Sequence, residues 1–218
     1  MNPVVEAIVT RRSIRGGFSS SPVDREVLEN IVRCGLAAPS SKNARPWRFH
    51  VVTDCALLME VSVLVEQAEG RDEYVPCDPT TGRPWETWRS SVDESAAVLK
   101  AAPAAIFVEN LGIFSRGRAT LIQAAPAALA ASIVGYSFEV MGVGAAVQNM
   151  WIAAVSLGLG GVFLGDVLVA ETEIRRKLGI PCELAGALVL GYPAQGTVPA
   201  ATVRAELDPD RVRWLTPS

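Results

Sequence analysis

Three segments in the first third of the chain repeat apolar residues at the spacing of an amphipathic helix. They are residues 3 to 10, the segment that follows Ser21-Pro22-Val23-Asp24, and the segment that follows Asp54. Apolar residues at i, i+3 and i+4 predict helices with one buried face. An aspartate just before such a run can accept hydrogen bonds from the first N–H groups of the helix. We therefore predict that a helix begins after Asp24 and another after Asp54.

Short runs of β-branched, aromatic or continuously apolar residues predict the strands of a sheet. These runs are Trp47 to Val52, Ala104 to Val108 and Leu184 to Leu190. A fourth stretch, Leu157 to Asp166, mixes four glycines with large apolar residues. It is either a tight strand with a bulge or a backbone that approaches a flat group closely, with Phe163 and Leu164 as walls.

The stretch from about Ala119 to Leu157 is rich in alanine and apolar on nearly every face, which is typical of a helix buried all round. A membrane span is the alternative, but Glu139, Gln148 and scattered glycines argue against it. We predict a long core helix that is bent or broken near Pro126 or Gly135 and shared across a dimer interface.

Two regions have no regular pattern. Residues 69 to 90 combine prolines and glycines with Tyr74, Trp85 and Trp88, which suits either a cover over a pocket or an arm that packs in a dimer. Residues 193 to 218 are predicted to form an extended tail. Because single domains commonly reach this length, residues 1–218 are predicted to form one domain, in which about 69–118 is a variable lid and substrate region.

The composition narrows the classes of function. Half of the 218 residues are hydrophobic, which favours burial against a second copy as a homodimer. A net charge of −3 gives no general attraction to nucleic acid or to an anionic membrane. The four cysteines form no CxxC pair and no charged, apolar leader precedes them, so we expect a cytoplasmic protein without a structural metal.

The single histidine restricts the catalytic chemistry. His50 lies inside a predicted strand, where a structural role is the simpler interpretation. Because the chain has one histidine, a metal centre rich in histidine is excluded. The chain also lacks a GxxxxGK[ST] phosphate loop and a GxGxxG motif placed between a strand and a helix. Neither a histidine-based nucleophile system nor a standard nucleotide fold is therefore indicated.

Two polar clusters could bind a ligand. Arg11-Arg12-Ser13-Ile14-Arg15 follows the first helix. Its arginines either point into water at a helix C-terminus or offer planar donors to an anion such as phosphate. The second cluster, Ser40 to Arg45 between Pro39 and Pro46, is dense in hydrogen-bond donors, although such residues also build ordinary turns.

Five motifs in order resemble the FMN-dependent nitroreductase family. They are Arg11-Arg12-Ser13-Ile14-Arg15, Ala38-Pro39-Ser40-Ser41 with Asn43 and Pro46-Trp47, Leu157-Gly158-Leu159-Gly160, Leu178-Gly179-Ile180-Pro181, and Leu190-Gly191-Tyr192-Pro193. The resemblance implies an α+β, three-layer sandwich in which helices wrap a mixed four-stranded sheet. It also implies an intertwined homodimer with FMN at the interface and a C-terminal extension swapped to the partner.

The resemblance also implies roles for individual residues. Arg11, Ser13 and Arg204 would hold the FMN phosphate, whereas the neighbouring Arg12 is expected to tolerate alanine. Arg15 would lie near the ribityl chain and the pyrimidine edge. The loop residues Pro39, Ser40, Ser41 and Asn43 would contact the flavin from the other subunit. Residues 163–166 would flank the ring, with the N–H groups of Gly165 and Asp166 facing N5 and O4. The family usually has Gln where this chain has Arg45.

The activity implied is a flavoenzyme that takes hydride from NADPH or NADH and reduces a nitroaromatic, a quinone or a similar flat acceptor in ping-pong order. Flavin N5 carries the chemistry, so no catalytic side chain is expected. Two alternatives stay open: a pathway-specific flavin oxidase or dehydrogenase, and a non-catalytic FMN-binding protein.

Overall fold

A computed structural model describes residues 2–196 and 211–215, and the description that follows is limited to them. The helices and strands in chain order are α1 (Pro3–Thr10), α2 (Arg25–Leu36), β1 (Trp47–Val52), α3 (Cys55–Glu66), α4 (Val92–Ala101), β2 (Ala104–Asn110), α5 (Arg118–Ile122), α6 (Pro126–Ser156), β3 (Gly160–Leu164), α7 (Glu171–Leu178) and β4 (Glu183–Gly191).

The predicted helix starts at the two aspartates are confirmed, although the aspartates act differently. Asp54 Oδ1 accepts hydrogen bonds from the N–H groups of Ala56 (2.9 Å) and Leu57 (3.3 Å). Asp24 occupies the same position before α2, but its side chain makes no capping bond. The cap therefore stabilises α3, whereas α2 depends more on the burial of its apolar face.

The sheet has the strand order β1-β2-β4-β3. The four-stranded α+β fold is confirmed, but the implied mixed sheet is wrong for the described strands, because all three pairs are antiparallel. Every residue of β2 is buried. Its position between β1 and β4, under helices, explains why its sequence is a nearly unbroken apolar run.

Helices cover the sheet in two layers. The layer on the face of Phe49 consists of α2 and α6, and their contact is so close that a Cβ on Gly35 would lie 2.7 Å from Met150 Cγ. In the second layer α3 packs against α4 and contacts β1 and β2. With the sheet between them, these layers give the three-layer arrangement.

The long apolar stretch agrees with its prediction at its break and differs from it in burial. The helix is broken before Pro126, as predicted, and then runs without interruption past Gly135. Within one chain the helix is not buried on all sides, because only 28% of the most apolar window of α6 is buried and Met141 is 69% exposed. Its predicted burial in a dimer interface stays a prediction. By length and composition α6 is the one helix in the described part of the chain that could cross a membrane. It nevertheless packs on α2 and on the sheet, with Glu139 fully buried.

Candidate functional site

The Arg11–Arg15 segment runs beside β3. The Ile14 N–H donates a hydrogen bond of 2.9 Å to the Gly161 carbonyl, and the Ile14 side chain is buried against Gly160. Because Ile14 anchors the segment, Ser13 and Arg15 are held on either side of it along the outer strand of the sheet. The structure thus brings the first and third motifs together.

Arg11 and Arg12 do not simply point into water. Both are half-buried, and the Arg11 guanidinium carbon lies 4.1 Å from the centre of the Trp151 ring, within the range of a cation–π contact. Arg12 Nη2 and Trp151 Nε1 are buried and have no hydrogen-bond partner among residues 2–196 and 211–215. A buried donor without an acceptor costs about 1–3 kcal/mol. A ligand with acceptor oxygens would satisfy either donor, which favours a ligand contact at Arg12 over the expected tolerance of alanine.

A cavity of about 170 Å³ lies at the other end of the segment. It is lined by Arg15, by the start of α4, and by residues 162–166, which include the predicted Phe163, Leu164, Gly165 and Asp166. Gly165 has right-handed helical dihedrals (φ −83°, ψ −30°), and a Cβ there would meet no atom within 4 Å. The backbone at Gly165 is therefore open to an approaching flat group.

Three side chains at the start of α4 complete this cavity, and the sequence did not predict them. The Asp166 carboxylate accepts hydrogen bonds from Ser91 Oγ (2.5 Å) and Ser95 Oγ (3.1 Å). Glu94 Oε1 lies 3.6 Å from Arg15 Nε. Their only signal in the sequence was two serines four residues apart at a helix start, and many helices have that pattern.

The irregular segment approaches the same region through Tyr74. Burial raises the pKa of Tyr74, the charge of Arg118 lowers it, and the charges of Asp166 and Glu171 raise it further. Those charges act on Tyr74 only because this segment lies near the end of β3. A pocket cover and an arm that packs in a dimer both stay open as interpretations of residues 69–90.

A second cavity, of about 380 Å³, continues from Phe163 along α6. Val143, Val147 and Trp151 line its apolar side, and the cavity contains Arg118, Tyr136 and Glu183 as polar groups. The Tyr136 hydroxyl donates to Glu183 Oε1 at 2.7 Å. Burial raises the pKa of Tyr136, and the bond to Glu183 raises it further, so the phenol keeps its proton. Phe163 borders both cavities, and the larger one is called the recess beside Phe163.

The Ser40–Arg45 loop lies elsewhere. Lys42, Asn43 and Arg45 have positive φ (51°, 53° and 48°), which is uncommon for residues other than glycine. Ser40 Oγ accepts a hydrogen bond from the Arg45 N–H (2.9 Å), and Asn43 Oδ1 accepts one from Arg45 Nε (3.2 Å). Arg45 therefore fixes the loop from within, while Asn43 stays exposed at its surface.

The two predicted halves of the site are separated within one chain. The loop leads into β1 and the Arg11–Arg15 segment lies beside β3, and these strands are the opposite edges of the sheet. Three strand spacings amount to roughly 14 Å. Arg204, the third predicted phosphate ligand, lies outside the described residues.

His50 contacts a carboxylate rather than a cavity. His50 Nε2 lies 2.9 Å from Oε2 of the fully buried Glu109, which Arg48 Nη1 also approaches at 3.3 Å. The Cys182 N–H donates to Glu109 Oε1 at 2.9 Å. Burial alone would raise the pKa of Glu109, but the bonds from His50 and Cys182 and the charge of Arg48 outweigh it and lower the pKa. These contacts favour the structural interpretation of His50.

Known proteins resemble the chain along most of its length. The model of the Nitroreductase family matches residues 8–192. A protein of Methanothermobacter thermautotrophicus, provisionally named NADH dehydrogenase/NAD(P)H nitroreductase, is 30% identical over 96% of this chain and 85% of its own. The NADPH-flavin oxidoreductase of Vibrio harveyi is 28% identical over 89% and 68%. A Desulfitobacterium hafniense nitroreductase solved with bound FMN has the same fold, with a TM-score of 0.67 and 20% identity over 99% of this chain and 100% of that chain.

Proposed function

The chain belongs to the nitroreductase family, and from this premise we propose that it is an FMN-dependent oxidoreductase that takes hydride from NADH or NADPH and reduces a nitroaromatic, a quinone or a similar flat acceptor. The observation that carries the proposal is two buried donors without partners among the described residues: Arg12 Nη2 in the arginine-rich segment, and Nε1 of Trp151, whose ring lies against the Arg11 guanidinium. A phosphate group supplies the acceptor oxygens and the negative charge that such a place requires.

Different residues of the chain contact different parts of the cofactor. Arg11, Arg12 and Ser13 hold the phosphate, with Arg204 as a further ligand. Arg15 lies towards the ribityl chain and the pyrimidine edge, where a cation favours negative charge on the ring. Residues 163–166 flank the ring, and the open backbone at Gly165 and Asp166 suits close approach to N5 and O4. When bound, FMN supplies a site that accepts hydride and passes electrons on.

A second copy of the chain completes the site. Ser40, Ser41 and Asn43 cannot reach the β3 edge of their own chain across the width of the sheet, so the contact comes from the partner of a homodimer. The exposed apolar stripe of α6, which includes Ile133, Phe138 and Met141, offers the surface for this association. The dimer thus explains both the divided site and the uncovered side of α6.

The C-terminal tail is proposed to cross to the partner. In residues 211–215, Trp214 is 76% and Leu215 is 79% exposed, which is unusual for large apolar side chains. A groove of about 550 Å³ between α2 and the outer strand β1, lined partly by Leu28 and Val51, could receive them on a second copy.

The four cysteines are free thiols, which fits our expectation of the reducing cytoplasm.

The recess beside Phe163 determines the acceptor and the kinetic order. Its apolar lining along α6 favours flat aromatic molecules over sugars or free phosphates. Donor and acceptor would use this one recess in turn, which predicts ping-pong kinetics with parallel double-reciprocal lines. Steady-state rates with NADPH and a quinone test this order, and intersecting lines would contradict it. Repeating the NADPH assay with oxygen as the only acceptor distinguishes a reductase from an oxidase.

A further inference from the structure

Trp151 occupies an unusual position for a tryptophan in a helix core. Its side chain is 9% exposed, its ring faces the Arg11 guanidinium carbon at 4.1 Å, and it lines the larger cavity together with Phe163. A leucine or phenylalanine could fill the same space between α1, α6 and the sheet. The indole adds one feature that a hydrocarbon side chain lacks, which is the N–H group.

That N–H group has no acceptor in the part of the chain that the structure describes. Trp151 Nε1 is buried, whereas a buried indole N–H ordinarily finds a hydrogen-bond partner. A tryptophan with only a packing role would therefore leave an unsatisfied buried donor here. A tryptophan that donates to a ligand oxygen would not, because the donor is already desolvated and directed before the ligand arrives.

Arg11 indicates which ligand atom that is. The Arg11 guanidinium lies over the indole ring, and an arginine fork binds phosphate oxygens through its edge. The guanidinium carbon lies 4.1 Å from the centre of the ring, which brings a phosphate bound at the guanidinium edge into the neighbourhood of the indole. The ring face also restricts the motion of Arg11, so less conformational freedom is lost when the phosphate binds.

We propose that Trp151 is a phosphate ligand of this chain, whose Nε1–H donates to a phosphate oxygen of FMN while its ring holds Arg11 in place. This inference rests on the proposed function and adds a ligand outside the arginine-rich segment. Because the indole N–H is a neutral donor, it stabilises bound phosphate without adding positive charge. Its effect on FMN affinity is therefore distinct from the charge effects of Arg11 and Arg12.

The sharpest test observes the indole proton directly in the wild-type protein. A ¹H–¹⁵N spectrum of protein labelled at the indole nitrogen contains signals from the five tryptophans, and the Trp151→Phe variant identifies the signal of Trp151. Adding FMN, and separately inorganic phosphate, should move that signal downfield, as expected for a new hydrogen bond to an anion. A signal that stays in place when FMN binds would overturn the proposal.

Affinities give an independent test with a matched control. Phenylalanine keeps an aromatic face for Arg11 but removes the donor, so Trp151→Phe should bind FMN about tenfold more weakly. Its affinity for riboflavin, which has no phosphate, should not change. Met59→Leu, on an exposed side chain of α3, should leave both affinities unchanged.

The possible outcomes separate this inference from the proposed function. If the wild type binds FMN and Trp151→Phe binds it equally well, the ligand role of Trp151 is wrong and the function stands. If riboflavin is weakened as much as FMN, Trp151 acts through packing, and the phosphate contact is wrong. If the wild type binds neither FMN nor riboflavin, the proposed function fails, and this inference fails with it.

Discussion

A dimer built from two different defective copies tests whether each site uses residues of both chains. One copy carries Arg11→Ala and the other carries Ser41→Ala with Asn43→Ala. If the loop acts across the interface, a mixed dimer has one site with every defect and one site with none. If the site lies within one chain, each site of the mixed dimer has one defect, and neither is intact.

The structure sets the size of the effect. A charge-assisted hydrogen bond contributes about 1.5–3 kcal/mol, so the loss of Arg11 should weaken FMN binding roughly tenfold to a hundredfold. Two neutral contacts from Ser41 and Asn43 contribute about 0.5–1.5 kcal/mol each, which amounts to roughly tenfold. Asn43 is exposed in its loop, so its truncation should affect the ligand more than the fold.

The assay compares three purified dimers by titration of FMN into apoprotein. Two different affinity tags on co-expressed copies isolate the mixed dimer. We expect weak binding in both mutant homodimers and wild-type affinity at one of the two sites of the mixed dimer. Uniformly weak binding in the mixed dimer would refute the division of the site between chains, because it places the loop and Arg11 in the same chain's site.

Three further predictions follow from individual contacts. Arg11→Ala should weaken FMN binding roughly tenfold to a hundredfold in a fluorescence titration, whereas Arg25→Ala, an exposed surface change, should have no effect. Gly165→Val should fold with unchanged Tm, because a Cβ at this position meets no atom and the backbone dihedrals suit any residue. The variant should nevertheless purify without bound flavin. A yellow, active variant would place the flavin ring elsewhere. Glu109→Gln should lower the Tm by about 5 °C at pH 7, since charge-assisted bonds to a buried carboxylate are lost. Because the pKa of Glu109 is lowered by folding, its stabilising contribution is complete above its unfolded pKa of about 4.5 and is lost as the pH falls through the folded pKa. The difference in Tm should therefore narrow below about pH 4, and a difference independent of pH would contradict this account.

Local patterns predicted the elements well because their causes are local. The strand Trp47–Val52 has the predicted bounds, and the runs predicted at Ala104 and Leu184 are strands that extend slightly further. The break at Pro126 was also predictable, because proline lacks the N–H that a continuous helix needs. The burial of α6 was not, since an apolar face does not reveal whether its own chain or another covers it.

The candidate site was predictable only where a motif carried it. The backbone bond between Ile14 and Gly161 brings two motifs of the sequence together, as the family resemblance implied. The contact of Ser91 and Ser95 with Asp166 joins segments more than 70 residues apart, and neither segment has a local signal for it. Trp151 lies in the stretch predicted as a core helix, and only its surroundings in the structure reveal that its indole N–H has no partner among the described residues.

The absorption spectrum of the purified protein, reconstituted with FMN and then mixed with NADPH under nitrogen, tests the central claim most directly. We predict the visible bands of protein-bound oxidised flavin, their bleaching by NADPH or NADH, and their return on addition of a quinone or a nitroaromatic. A protein that binds no FMN, or one whose bound FMN neither nicotinamide bleaches, would contradict the claim that this chain is an NAD(P)H-dependent flavin oxidoreductase.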